Sequence, residues 1–180
     1  DRRLKSFSYF DDHVLRRRQA PGEAAEAAPA EWPVTSSKRL DFPPEPADAV
    51  ITDPYMLLLL AGRLQARGPG ATMEVVVHTD FNFYRVRMTC GNGVPVEADY
   101  TESTGSQVSG TRETVGVVLR VSPAGELAER DDFTLLGLSG DIILLFDRET
   151  GLPLQVRGLA PRIGSTEIDL KSVTLRKPAS

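Results

Sequence analysis

A chain of 180 residues with a formal net charge of −4 is long enough for one domain to bury a real core without disulfide or metal staples. The slightly acidic balance gives no reason to expect a polyanionic partner. A single cysteine, Cys90, excludes an intrachain disulfide and a thiolate metal cage built from this chain alone.

The excess of Arg over Lys and the plentiful Ala, Gly and Pro read as the base composition of a GC-rich bacterium. No signal peptide, lipidation motif or spanning segment is visible. The chain opens on Asp1 in strand-like sequence, which predicts a processed or trimmed piece of a longer precursor.

In chain order, Leu4 to Phe10 and His13 to Arg18 read as two short strands about an acidic turn at Asp11-Asp12. Residues 19–31 shift to Ala, Glu, Pro and Gly, and predict a flexible loop. Trp32 to Asp41 reads as an edge strand. Phe42 to Pro46 runs extended, because a residue before proline is held out of the helical region.

Thr52 to Gly62 is the best helix in the sequence. Asp53 can cap it, Pro54 suits its first position and Gly62 marks the expected stop. Its residues are apolar on every side, so it must be surrounded by protein or lipid. At roughly a dozen residues it spans only about 15–18 Å, too short for a bilayer. A curved sheet wrapped around it would cover it.

Beyond Gly68-Pro69-Gly70 the chain reads almost wholly as strands. Thr72 to Thr79 and Asn82 to Thr89 form a hairpin about Asp80-Phe81. Gly91-Asn92-Gly93 turns into Val94 to Tyr100, and a Ser/Thr/Gly-rich loop leads to Glu113 to Val121. Phe133 to Leu138, a hairpin over Ile142 to Arg157 whose last loop residue is Gly151, and Ser165 to Arg176 complete the series. Short strands separated by turn signals imply an antiparallel sandwich or barrel rather than a parallel sheet.

Alternation places Val75, Val77, Tyr84, Val86, Met88, Val117, Leu119, Leu154, Val156 and Ile168 inside, with Arg85, Arg87, Gln155, Arg157 and Glu167 opposite. Ile142 to Phe146 is apolar on both faces, which predicts that it is covered twice, by the helix or by a bound partner.

Candidate chemistry is sparse. The hairpin register holds Cys90 about seven strand positions, roughly 23 Å, from His78, so it lacks a base and reads as a small core residue. His13 and His78 read as surface histidines with no metal-ligand spacing around them. Asp11-Asp12 and Asp131-Asp132 match no calcium loop and read as turn and cap residues. Gly137-Leu138-Ser139-Gly140 departs from a nucleophile elbow, because Asp141 holds the second glycine's place. Phe81, Phe83, Tyr84, Arg85 and Arg87 interleave aromatics with basic residues, but read as strand formers rather than a nucleic-acid platform. Arg16-Arg17-Arg18 reads as a solvated edge.

Asp41-Phe42-Pro43-Pro44, then Thr52-Asp53-Pro54-Tyr55-Met56-Leu57-Leu58-Leu59, then strands and a terminal hairpin with Asp147 and Leu152-Pro153-Leu154-Gln155-Val156, resemble a bacterial family of exported, β-rich proteins known as a domain of unknown function. The likeness covers residues 41–176. It implies a periplasmic protein with a curved sheet similar to the open half-barrel of lipoprotein carriers, which hold acyl chains between a concave sheet and a helix. It implies no catalytic residues.

The expected fold is therefore all-β: an antiparallel curved sheet or half-barrel in one domain over 1–180, with one short apolar helix in its concavity. The expected function is a non-enzymatic bacterial envelope protein binding a lipid or other apolar ligand without a cofactor. Tyr55, Met56, Leu59, Tyr84, Met88, Leu144 and Phe146 would line its cavity. The alternatives are an assembly protein recruiting an envelope partner through a sheet edge, and a small cofactor-free enzyme around Tyr84, Arg85, Glu97 and Asp99.

Overall fold

The strands predicted from alternation assemble into three sheets and one helix in the computed structural model, which describes residues 3–22, 26–44, 49–127 and 130–174. Residues 23–25 of the predicted loop, 45–46 of the extended run and the end of the closing strand at Arg176 lie outside the described residues.

β1 (Leu4–Tyr9), β2 (His13–Gln19) and β3 (Val34–Asp41) form a three-stranded antiparallel meander with β2 in the middle. The described parts of the loop after β2 are tied down. Gln19 donates to the Trp32 carbonyl at 2.9 Å, and the buried Trp32 indole donates to the Ala27 carbonyl at 2.9 Å.

A two-residue strand β4 (Ile51–Thr52) leads into α1 (Met56–Gln65). Asp53 starts the helix as expected: its Oδ1 accepts the N–H groups of Tyr55 and Met56 at 2.8 and 3.3 Å. The helix runs past Gly62, however, because Leu64 is fully buried in the core and tertiary packing outweighs the local stop signal.

β5 (Thr72–His78) and β6 (Phe83–Asn92) pair about Asp80-Phe81 with His78 opposite Phe83, the predicted register. β7 (Val96–Glu102), β8 (Gln107–Arg112), β9 (Thr114–Pro123), β10 (Ser139–Asp147), β11 (Pro153–Ala160), β12 (Gly164–Asp169) and β13 (Ser172–Val173) follow. The large sheet has the order β12-β11-β10-β9-β6-β5-β4, antiparallel except where β4 meets β5. It is an open curved sheet, and β10 carries two register shifts against β11, the kind of irregularity that bends a strand.

The β10–β11 turn takes the predicted form. Asp147 is buried, its Oδ1 accepts the N–H groups of Glu149 and Thr150 at 2.7 and 2.9 Å, and Gly151 sits at φ +71°.

Four expectations need correction. The Ser/Thr/Gly-rich loop contains a strand, β8, because its partner β7 supplies pairing that its own pattern does not announce. Phe133 to Leu138 is a tight turn in which Leu135 and Leu138 exchange backbone hydrogen bonds, with Leu136 and Gly137 at positive φ. The closing strand breaks into β12 and β13, which leave for different sheets. On β11 and β12 the faces also differ from alternation: Gln155 is buried, while Ile168 is exposed.

The core has two parts. Leu57, Ala61 and Leu64, on one face of α1, pack with Met88, Leu119, Leu144, Phe146 and neighbours on the concave side of the large sheet. On the other side, Val96, Ala98 and Tyr100 of β7 pack with Leu145 and Leu154. β10 is thus covered twice, by the helix and by the small sheet β13-β7-β8. The helix itself is not surrounded. Tyr55, Met56 and Leu59 are 68, 39 and 63% exposed, because an open sheet covers only one side of a helix laid on it.

Candidate functional site

Four chain segments meet at the His78 end of β5: β1, the start of α1, the β5–β6 turn and the turn at 132–137. They enclose a cleft of about 750 Å³. Sheet pairing fixes its floor, since β5 ends there and the chain must turn through Thr79-Asp80-Phe81-Asn82. Thr79 N–H donates to the Asn82 carbonyl at 2.9 Å and closes that turn.

His78 is only 1% exposed, contrary to the surface position expected. The β1–β3 meander lies over the end of β5 and places the Phe7 and Tyr9 rings 4.6 and 5.3 Å from the imidazole, with Phe83 at 6.5 Å. The Tyr9 hydroxyl lies 2.7 Å from Nε2. Nδ1 faces the Thr79 carbonyl at 3.4 Å. A carbonyl can only accept, so the ring proton belongs on Nδ1 and the Tyr9 O–H donates to Nε2. Burial pushes the imidazole below its ordinary pKa, against the opposing pull of the Thr79 carbonyl, Asp53 and Asp80. Burial, with Asp53 adding to it, raises the Tyr9 phenol. Both groups are neutral near pH 7.

Asp80 is surrounded by cations. Lys5 donates to both of its oxygens at 2.8 and 2.9 Å, and Arg18 donates to Oδ2 at 3.0 Å. Arg16 donates to its carbonyl at 2.9 Å and stacks over Phe81 at 5.2 Å. Arg16 is buried in the central strand of its sheet, so the reading of Arg16 to Arg18 as a solvated edge is corrected.

Behind the cleft, Asp132 Oδ1 accepts from Thr79 Oγ1 at 2.7 Å and Asn82 Nδ2 at 2.8 Å, and lies 3.1 Å from the Tyr84 oxygen. The Tyr84 proton goes to Asp131 at 2.8 Å, while its oxygen accepts the Asp132 backbone N–H at 3.0 Å. Burial foremost, and the two carboxylates after it, push the Tyr84 phenol far above its ordinary value and keep it neutral. Asp131 and Asp132 thus do more than cap a turn: they bind the 130–133 segment to β6.

The seven residues expected to line a cavity separate into two groups. Tyr84, Met88, Leu144 and Phe146 are buried in the inner core among Leu57, Ala61 and Leu64, so their surfaces are taken by one another and by the helix. Met56 and Leu59 face outward, and Tyr55 stands at the rim of the cleft. The enzyme candidates are not brought together. Arg85 pairs with Glu74 at 3.3 Å, whereas Glu97 and Asp99 bond to Thr111 and Gln107 within the small sheet. Arg85 and Arg87 both pair with Glu74, and Tyr84 is buried. Cys90 is buried in the core, and its backbone N–H donates to Ala71, at the far end of the β5–β6 pair from His78.

Sequence reasoning missed Tyr9, His78 and Asp80 as neighbours. One signal was present: Val75-Val76-Val77 offers no polar alternate position, the mark of a strand end covered on both faces. Among the described residues, no three His, Cys, Asp or Glu side chains converge as metal ligands, and no helix is long and apolar enough to cross a membrane.

The chain has no match among protein-family profiles, curated proteins or solved structures.

Proposed function

We propose that the protein is a non-enzymatic binding module whose ligand seat is the cleft at the end of β5. The observation that carries this reading is the lining itself. Phe7, Tyr55 and Phe81 line it together with a few polar groups, Tyr9, Asp53 and Asp132. That mixture, at about 750 Å³, is the composition and size of a small-molecule site. Because the space between α1 and the sheet is filled by side chains, a lipid or other apolar ligand would lie in the cleft and along the exposed strip of Tyr55, Met56 and Leu59. Residence in a bacterial envelope belongs to the same proposal, supported by the family resemblance, and cell fractionation tests it.

Titration with the neutral dye Nile red measures the binding directly. Saturable emission is expected, weakened about five-fold by Tyr55→Ala, on the order of one lost aromatic contact, and unchanged by Ile163→Ala in the exposed β11–β12 turn. Non-saturable emission, or equal effects of the two substitutions, would remove the cleft as the binding seat.

A further inference from the structure

The outer face of α1 is left uncovered by the open sheet. Leu57, Ala61 and Leu64 turn into the core, whereas Tyr55, Met56, Leu59, Arg63 and Arg67 are exposed. Tyr55, Leu59, Arg63 and Arg67 stand four residues apart, so they follow one another along one side of the helix and of the turn that ends it. Across the mouth of the cleft, the exposed Tyr9 and Leu136 continue the apolar rim from Tyr55.

This stripe is apolar at its start and cationic at its end. No Asp or Glu occurs between Pro54 and Pro69, and neither Arg63 nor Arg67 has a side-chain partner among the described residues. The acidic β10–β11 turn approaches α1 at Gln65, where a Cβ on Gly151 would stand 3.1 Å from Nε2. Gln65 is two residues from Arg63 and so lies on the other side of the helix.

We propose that this face docks on the surface of an anionic phospholipid bilayer, with Tyr55, Met56 and Leu59 entering the headgroup layer and Arg63 and Arg67 on lipid phosphates. The proposal rests on the apolar-ligand reading of Tyr55, Met56 and Leu59, and names where that ligand is met: in a bilayer rather than free in solution. Two arguments favour a bilayer over a protein partner. Apolar side chains beside unpaired guanidinium groups complement a surface that carries phosphates above acyl chains. A ten-residue helix is only about 15 Å long, and three apolar side chains on it fall short of the roughly 800 Å² per partner of a stable protein interface. The net charge of −4 opposes an anionic surface, so attraction is confined to this face and binding is weak and reversible.

Co-sedimentation with vesicles of phosphatidylcholine, alone or with about 30% phosphatidylglycerol, tests the proposal. Binding is expected to be at least about five-fold tighter to the anionic vesicles, and to be lost between about 0.05 and about 0.5 M salt. Arg63→Gln should weaken it about five-fold, and Leu59→Glu about ten-fold, with no change in thermal midpoint because both side chains lie outside the core. Ile163→Glu, in the exposed β11–β12 turn, should leave it unchanged. No binding, equal binding to both vesicles, or equal effects of Leu59→Glu and Ile163→Glu overturns the proposal. A dimer in vesicle-free sedimentation that Leu59→Glu dissolves would give the face to a second copy and overturns it too. Leu59 and Arg63 do not line the cleft. Saturable Nile red emission without vesicle binding therefore overturns the docking surface alone, and loss of both overturns the ligand reading beneath it.

Discussion

Asp80 shows how much one side chain holds together here. Its carboxylate lies 2.8 Å from Lys5, 3.0 Å from Arg18 and 3.9 Å from Arg16, joining both strands of the β1–β2 ribbon to the β5–β6 turn. Burial raises its pKa, but Lys5, Arg18 and Arg16 outweigh that and hold it below the ordinary carboxyl range. A carboxyl lowered in the folded state stabilises above its unfolded value of about 3.9, and that stabilisation is lost as pH falls through the folded pKa. Asp80→Asn should therefore cost about 1–3 kcal/mol near neutrality, since it leaves Arg16 buried without a counter-charge. Urea unfolding at a series of pH values checks this. The gap between the two proteins should close below about pH 4, and a gap constant with pH would show that the ion pairs do not carry it.

At the level of elements, α1 shows both what sequence reveals and where it stops. Its start was legible because Asp53 and Pro54 act locally, through one carboxylate and one fixed φ. Its end was not, because Leu64 is held by residues of strands many positions away. The β5–β6 register was legible for the same reason as the helix start: alternation and a short turn are local. The cleft was not, because Lys5, Asp53, His78 and Asp132 come from four segments that no local pattern connects. Gly62 offers a direct check on the helix. A Cβ there would meet Phe146 Cε1 at 3.8 Å, an ordinary contact, so Gly62→Ala should stabilise by about 0.5–1 kcal/mol through a less flexible unfolded chain. A lower thermal midpoint would mean that Phe146 has no room to accommodate the methyl.

Across the whole molecule, two cores share one strand. Ile142, Leu144 and Phe146 of β10 face the helix, and Leu145 faces the small sheet, so neither layer is complete without it. Leu145→Ala should cost about 2–5 kcal/mol although it touches only the smaller core. Far-UV circular dichroism and emission of the single tryptophan, Trp32, should still report one coincident urea transition, since Asp80 and His78 tie the β1–β3 meander to the large sheet. Transitions that separate would make that meander an independent folding unit. The same shared strand governs how the protein emerges during synthesis. A nascent chain stopping short of residue 139 has already made β9, whose edge at Leu119 then lacks the strand that pairs with it. The ribosome must deliver β10 before either core can close, so the interval of translation between β9 and β10 is when this chain most needs a chaperone's protection.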